Sequence, residues 1–548
     1  FLLHFSSGDY LSDHLTNNVD INVNPCDDFF HHVCSQSVDS SEYPLWKIWS
    51  FYKDIADKFQ NADNSSILKD IMLLNKSITE NKPHFNRTEF ETILRKRCDK
   101  NDSCYQEEFL FYYRVYNIET KPSNDSLQNF VDKLNITSGE IIVQFLPILV
   151  ESFYKEYNAT ETVKLQHKFY TNLINRVDMM NELKRRGLFQ QTGQIHEDVK
   201  HLKALVNDKL RNTPWIIEKD DLGYSLFNEY EEKINDIDVY FDLDENNRDL
   251  ELLKVIENKY KSSYESARMR STGVEVFDIY LSLFWSFEEC FETDDSELQV
   301  LITRVIDRLA MKAMYYGKLN KISIIAPYQH PALADDSTFN KNYNLFSVLS
   351  HEIHHSIIIN RWENRSEAFK NGMECIHNHF NRTCQIFGEG FPCKSGPETF
   401  REDGADVEGL RTSYLFFSQN YNLNEMKQIV YKSDSLSVTR EQAFFYVWGI
   451  SMCRTLSNHE PYDKYSLPQV RLNGDMIQME EFTHAFSCSP RQRMYNVKEG
   501  TCYLFGPNSL PREYIKWRSL SHATSRAIIP GGPSSLAILA IATVYLFN

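Results

Sequence analysis

His351 and His355 stand four residues apart in the run S-H-E-I-H-H (Ser350 to His355), with Glu352 between them. On a helix this spacing puts the two imidazoles one turn apart and on one side. Two neutral imidazoles so arranged suit a tetrahedral zinc ion, and the intervening carboxylate is placed to take a proton from water that the metal has acidified. H-E-x-x-H arises by chance in roughly a few per cent of chains of this composition, so surface histidines are the plain alternative and further ligands are required. The segment Glu398-Thr-Phe-Arg-Glu402-Asp403-Gly404-Ala405-Asp406 supplies candidates. Glu402 and Asp406 are one turn apart, so one carboxylate can ligate a metal while the other accepts a hydrogen bond from a ligand imidazole and fixes its tautomer. Standing alone, such a pair is more often a solvated helix face.

Both sets must be carried by helices. Leu345, Leu349, Ile353 and Ile357 recur at four-residue steps, which predicts a helix over 344–359 buried along that stripe, with His351 and His355 a quarter-turn or more away from it. The acidic pair opens a second helical stretch through Val407, Leu410, Tyr414 and Leu415. Upstream, from about Leu45 to Leu309, the chain reads as long amphipathic helices; Glu161 to Arg186 and Leu202 to Arg211 are examples. The text changes after Met311, where Lys321-Ile-Ser-Ile-Ile325 is a compact β-like run ending at Ala326-Pro327.

The chain has 548 residues, 42% hydrophobic and 25% charged, with only 19 Gly and 17 Pro, which excludes collagen-like and low-complexity classes. A balance of 59 basic against 76 acidic residues disfavours a nucleic-acid partner. No P-loop, dinucleotide fingerprint or G-x-S-x-G elbow occurs. His31, His32, His377 and His379 read as surface or packing residues rather than a second metal site. The eleven cysteines include no C-x-x-C, which excludes zinc-finger and thioredoxin motifs and leaves buried thiols or long-range disulfides. N-x-S/T sequons begin at Asn64, Asn75, Asn86, Asn101, Asn124, Asn135, Asn158, Asn364 and Asn381; with the cysteines they favour an extracellular or lumenal location. Phe1 to Phe5 reads as the remnant of a signal or anchor segment. The apolar tail from Leu536 to Phe547 follows small residues at Ala523 to Ser525 and a spacer, as in a lipid-anchor signal; a short terminal span or an irrelevant apolar tail is the alternative.

With these residues in hand, the sequence resembles the neprilysin family of zinc metallopeptidases, as a divergent member. The landmarks are N-P-C-D-D-F-F-H-H-V-C (Asn24 to Cys34), the Asn320 to Pro331 segment, Ser350 to His355, E-D-G-A-D (Glu402 to Asp406), F-F-Y-V-W-G-I-S-M-C (Phe444 to Cys453), R-L-N-G (Arg471 to Gly474), E-F-T-H-A-F-S-C (Glu481 to Cys488) and Cys502. The resemblance implies a two-lobed, gluzincin-like ectodomain, mainly α with a small β component. It divides the chain into an N-terminal stem (1–25), a helical region with a substrate-enclosing lobe (26–310), a zinc-binding catalytic region (311–505) and a C-terminal extension (506–548). One zinc ion would be held by His351, His355 and Glu402, with Glu352 as general base, Asp406 as partner of a ligand histidine and Arg471 as a substrate-side group. Implied disulfides are Cys26–Cys488, Cys34–Cys453, Cys98–Cys290 and Cys375–Cys502, leaving Cys384–Cys393 as a local pair and Cys104 odd.

Several positions depart from the family pattern. The family's transition-state histidine falls on Tyr465, whose phenol can donate to a developing oxyanion but lacks a cation's charge. The family's Asn-Ala-aromatic-Tyr segment, which holds the substrate backbone, appears as Ala313-Met314-Tyr315-Tyr316, so Ala313 and Tyr315 stand in it without its amide. Ile357-Ile358-Ile359 replaces an acidic pair, and the stretch from Cys290 to Ala313 is short. The expected function is a zinc metalloendopeptidase of reduced activity acting on extracellular peptides. The rival is a zinc-loaded, catalytically impaired ectodomain that binds peptides.

Overall fold

The computed structural model of the chain describes residues 10–34, 67, 69–70, 87–98, 104, 108, 160–189, 192–218, 225–244, 249–270, 275–295, 298–299, 301–302, 305, 313–324, 329, 345–358, 366–390, 393, 399–453, 465–496 and 500–509. In chain order the elements are α1 (Tyr10–Asn17), α2 (Phe29–Val33), α3 (Arg87–Cys98), α4 (Thr160–Arg185), α5 (Gly193–Arg211), α6 (Pro214–Ile217), α7 (Leu226–Asn235), β1 (Asp238–Phe241), α8 (Asp249–Arg268), α9 (Glu275–Phe291), β2 (Met314–Tyr316) and β3 (Lys321–Ile324). They continue with α10 (Phe346–Ile357), α11 (Glu367–Phe387), α12 (Phe400–Ser418), α13 (Leu423–Met426), β4 (Ile429–Lys432), β5 (Ser437–Thr439), α14 (Arg440–Met452), α15 (Pro468–Ile477) and α16 (Glu480–Ala485). The fold is mainly α with a small β component.

The chain forms two compact units, each assembled from separated stretches of sequence. One comprises residues 1–53, 189–247 and 311–530; the other comprises 54–188, 248–310 and 531–548. In the second unit α8 and α9 bury apolar faces that include Leu253, Ile256, Tyr260, Tyr280 and Leu283. There Tyr260 stacks on Tyr170 of α4 at 4.9 Å between ring centroids. The first unit carries both predicted motif helices.

Within that first unit a three-stranded sheet runs in the order β1-β3-β2, with β1 parallel and β2 antiparallel to β3. All four residues of β3 are buried, as its compact apolar run requires. The stripe Leu345, Leu349, Ile353 and Ile357 is fully buried against the core that also takes Ile322 and Ile324 of β3. Burying each of these side chains favours the fold by about 1.5–3 kcal/mol. Ala313, Ile357 and Ile358 lie in the same core, so these two of the isoleucines that stand where an acidic pair was expected are packing residues, and Ile359 lies outside the described residues. Leu415 departs from its predicted apolar stripe, being 45% exposed.

Disulfides join Cys26–Cys488, Cys34–Cys453, Cys375–Cys502 and Cys384–Cys393, as expected. The expected Cys98–Cys290 bridge is corrected. Cys98, the last residue of α3, pairs with Cys104, and Cys290 is a free, buried thiol. A short loop closes at little entropic cost, whereas Cys290 faces the backbone of α8, 3.9 Å from the carbonyl of Ile256. Burial pushes its thiol up to about 12, so it stays protonated and unreactive. Alkylation of unreduced protein after denaturation should therefore label one cysteine, and peptide mapping should find it at 290; label at Cys104 would contradict this pairing.

No helix among the described residues is long and apolar enough to cross a membrane. Phe1 to Phe5, the tail from Leu536 to Phe547 and every sequon asparagine except Asn381 lie outside the described residues. Asn381 is on α11, where the hydroxyl of Thr383 is buried and donates to the carbonyl of His379.

Candidate active site

The site is made where α10 and α12 cross. Glycine inside a helix costs about 1 kcal/mol relative to alanine, yet α12 contains Gly404 and Gly409. At Gly409 the reason is steric: a Cβ there would stand 3.0 Å from both the backbone N and Cα of His351. The missing side chain lets the two helices approach at the first histidine. Ser350 ties the crossing by donating its hydroxyl to the Gly409 carbonyl at 2.8 Å.

This approach brings His351, His355 and Glu402 together, with one potential ligand atom from each lying within 4.8 Å of the others. Oε2 of Glu402 is 3.4 Å from His351 Nε2 and 3.3 Å from His355 Nε2. Donors about 2.0–2.1 Å from a tetrahedral ion stand about 3.3–3.4 Å apart, so these spacings suit such an ion. The His351 and His355 rings are nearly perpendicular, with centroids 4.5 Å apart. Their side chains are 11% and 10% exposed and that of Glu402 is 3% exposed, so the group is largely shielded from water.

Behind the histidines is a charged chain. Nδ1 of His351 lies 2.7 Å from Asp406 Oδ1. Asp406 receives two hydrogen bonds from the Arg471 guanidinium, one from Nη2 at 2.8 Å and one from Nε. Burial disfavours charge on His351, but Asp406 and the neighbouring carboxylates outweigh it and lift its pKa to about 10. For Asp406 burial acts upward, and Arg471 and His351 overcome it to hold the carboxyl below its ordinary range. The carboxylates that favour positive charge on His351 would also attract a metal ion.

Glu352 is buried beside the ligand group, and its Oε2 accepts the backbone N–H of Tyr315 at 2.7 Å. Tyr315 is on β2, the edge strand paired with β3, so the sheet edge spends a main-chain donor on this carboxylate. The Tyr315 hydroxyl donates to Asn320 Oδ1 at 2.8 Å, and Ala313 is buried. Tyr465 lies with its ring 4.6 Å from the Arg471 guanidinium carbon. Burial, with Glu402 nearby, raises its phenol well above the ordinary range, so the hydroxyl remains a neutral donor.

Sequence reasoning overlooked Gly409 and the Tyr315 N–H. The first had a signal, since an isolated glycine in a helical pattern marks close approach; the second is a backbone group and had none. Of the other histidines singled out in the sequence, three are packing residues: His32 is 2.6 Å from the Tyr446 hydroxyl, His379 Nε2 is 2.9 Å from the Gly474 carbonyl, and His31 contacts Asp28 at 2.8 Å.

Residues 312–502, which include every residue of this site, match the family model for Peptidase family M13. The chain carries a Peptidase family M13 domain. That match covers about a third of the chain and agrees with the resemblance to neprilysin-family zinc metallopeptidases that the sequence motifs carry. Among curated proteins it is 26% identical to Neprilysin-3 of Drosophila melanogaster over 165 residues, 27% of this chain and 20% of that protein. It is 29% identical to the Kell blood group glycoprotein of Homo sapiens over 91 residues, 17% of this chain and 12% of that protein. The matches thus span a fifth or less of these relatives' length. Similar solved structures are the Haemonchus galactose containing glycoprotein complex (14% identity, TM-score 0.49, 90% of this chain and 98% of that one) and the Mycobacterium tuberculosis zinc metalloprotease ZMP1 with an inhibitor (10% identity, TM-score 0.48, 89% and 98%).

Proposed function

We propose that this M13-domain chain is a zinc-dependent metalloendopeptidase that hydrolyses extracellular peptides. The observation that carries the reading is the convergence of His351, His355 and Glu402 with Glu352 pinned beside them. His351, His355 and Glu402 would hold one zinc ion, and the spacing of their donor atoms supports it. Bound there, zinc supplies Lewis acidity, which acidifies water and polarises a peptide carbonyl.

The chain's own residues do the rest. Asp406 accepts the Nδ1 proton of His351, which leaves Nε2 as the lone-pair donor toward the ligand group. Arg471 keeps Asp406 ionised and presents its remaining N–H groups to a substrate carbonyl. Tyr315 N–H fixes Oε2 of Glu352, so Oε1 takes the proton of the attacking water and passes it to the leaving amine. Tyr465 donates a hydrogen bond to the oxygen that gains charge on the carbonyl. Five disulfides support an oxidising, secretory location.

The test is to measure zinc stoichiometry in the purified protein and incubate it with a mixed peptide library, with and without chelator. One zinc per chain and chelator-sensitive cleavage at internal bonds are expected; absence of zinc removes the reading.

A second reading is a zinc-loaded peptide binder, favoured by Tyr465 and by Ala313 at positions where the family places groups that act on substrate. Stoichiometric zinc, peptide binding and no turnover would establish it. Tyr465→His separates the two. A cationic donor should raise kcat/KM about 10–100-fold over wild type, and an unchanged or lower value would mean that Tyr465 does not face the oxyanion.

A further inference from the structure

α12 has two working faces. Glu402, Asp406 and Gly409 follow an i, i+4, i+7 stripe and face α10. Gly404, Glu408 and Arg411 form the same stripe two residues on, about 200° around the axis, and are thus on the opposite side. That rear side is held by the segment 500–509. Leu504, fully buried, sits where two glycines make room for it: a Cβ on Gly404 would stand 3.3 Å from its Cδ1, and one on Gly372 of α11 would stand 3.0 Å from its Cδ2.

The segment cannot slide. Leu504 donates its N–H to Glu408 Oε1 at 2.8 Å, and its carbonyl accepts from Trp215 Nε1 at 3.1 Å. Arg411 Nη1 donates to the Cys502 carbonyl at 2.6 Å, and Cys502 is bonded to Cys375 of α11. Glu408 is also paired with Lys209 of α5.

We infer that Leu504 is a positioning residue for the metal site: wedged between Gly372 and Gly404, it sets how far the turn carrying Glu402 and Asp406 stands from His351 and His355. This rests on the zinc reading above. Metal–ligand distances must hold to within about 0.2 Å, so a helix displaced by a fraction of a methyl group misplaces Glu402. Groups behind a metal ligand commonly change affinity about 10–100-fold when altered.

Chelator competition measures zinc Kd, and the visible absorption of the cobalt(II)-substituted protein reports ligand geometry without turnover. Leu504→Ala and Gly404→Ala should each raise zinc Kd about tenfold or more and change the cobalt spectrum. Leu504→Met should stay near wild type, and Gly404→Ala combined with Leu504→Val should recover most of the loss, because the added methyl is matched by a smaller wedge. Leu15→Ala, a core truncation in α1, should lower stability and leave Kd alone. If Leu504→Ala does not fold, Gly404→Ala and its compensated double carry the test. Wild-type zinc affinity with single variants within about twofold of it, or an equal loss in Leu15→Ala, overturns the inference while sparing the zinc reading. A wild-type protein that binds no zinc overturns both.

Discussion

Glu352→Gln should reduce kcat for peptide cleavage about 10²–10⁴-fold, about 3–5 kcal/mol in the barrier, and leave zinc content at the wild-type level. The substitution keeps the shape of the side chain, and the amide oxygen can still accept the Tyr315 N–H that now meets Oε2. What disappears is a group able to take a proton. Because Glu352 is not among the three converging ligand groups, metal retention separates loss of the base from collapse of the site. Steady-state kinetics with parallel metal analysis reads both. Residual turnover within about tenfold of wild type would remove Glu352 from the proton-transfer role, and loss of zinc would mean that it supports the metal instead.

Arg471→Met has the largest expected effect on stability. Asp406 is 1% exposed and receives both of its guanidinium hydrogen bonds from Arg471. Removing Arg471 takes away the larger part of what compensates this buried charge, leaving His351 beside it, and costs up to about 3–5 kcal/mol. Adding Asp406→Asn to Arg471→Met should recover part of that cost, since no bare carboxylate remains, while zinc affinity stays depressed because His351 loses its charged partner. Urea unfolding of the single and double variants measures the first effect and chelator competition the second. A single variant destabilised by less than about 1 kcal/mol would show that solvent or another cation already compensates Asp406.

The two substitutions act on different parts of one arrangement, and those parts were unequally visible in the amino-acid text. Local spacing carried the most. His351 with His355, and Glu402 with Asp406, are pairs one helical turn apart, and the turn of an α-helix is the same wherever it occurs. The stripe Leu345, Leu349, Ile353, Ile357 likewise announced which side of α10 would be buried. Three of the five disulfides followed from family-like landmarks and Cys384–Cys393 from the cysteines those left over, but Cys98 pairs with its neighbour Cys104, because pairing depends on which sulfurs the folded chain brings within reach.

The sequence by itself thus determined the helices, the candidate ligand types and the absence of common alternative motifs, since these rest on residue chemistry and helical periodicity. The tertiary structure alone decided that α10 and α12 cross at Gly409, that Arg471 closes on Asp406, and that a main-chain N–H of an edge strand holds Glu352. It also decided that the chain's two compact units interleave along the sequence and that Leu504 backs the carboxylate turn. These are contacts between residues tens to hundreds of positions apart, fixed by close packing and by the need to satisfy buried polar groups, and neither leaves a periodic trace in the chain.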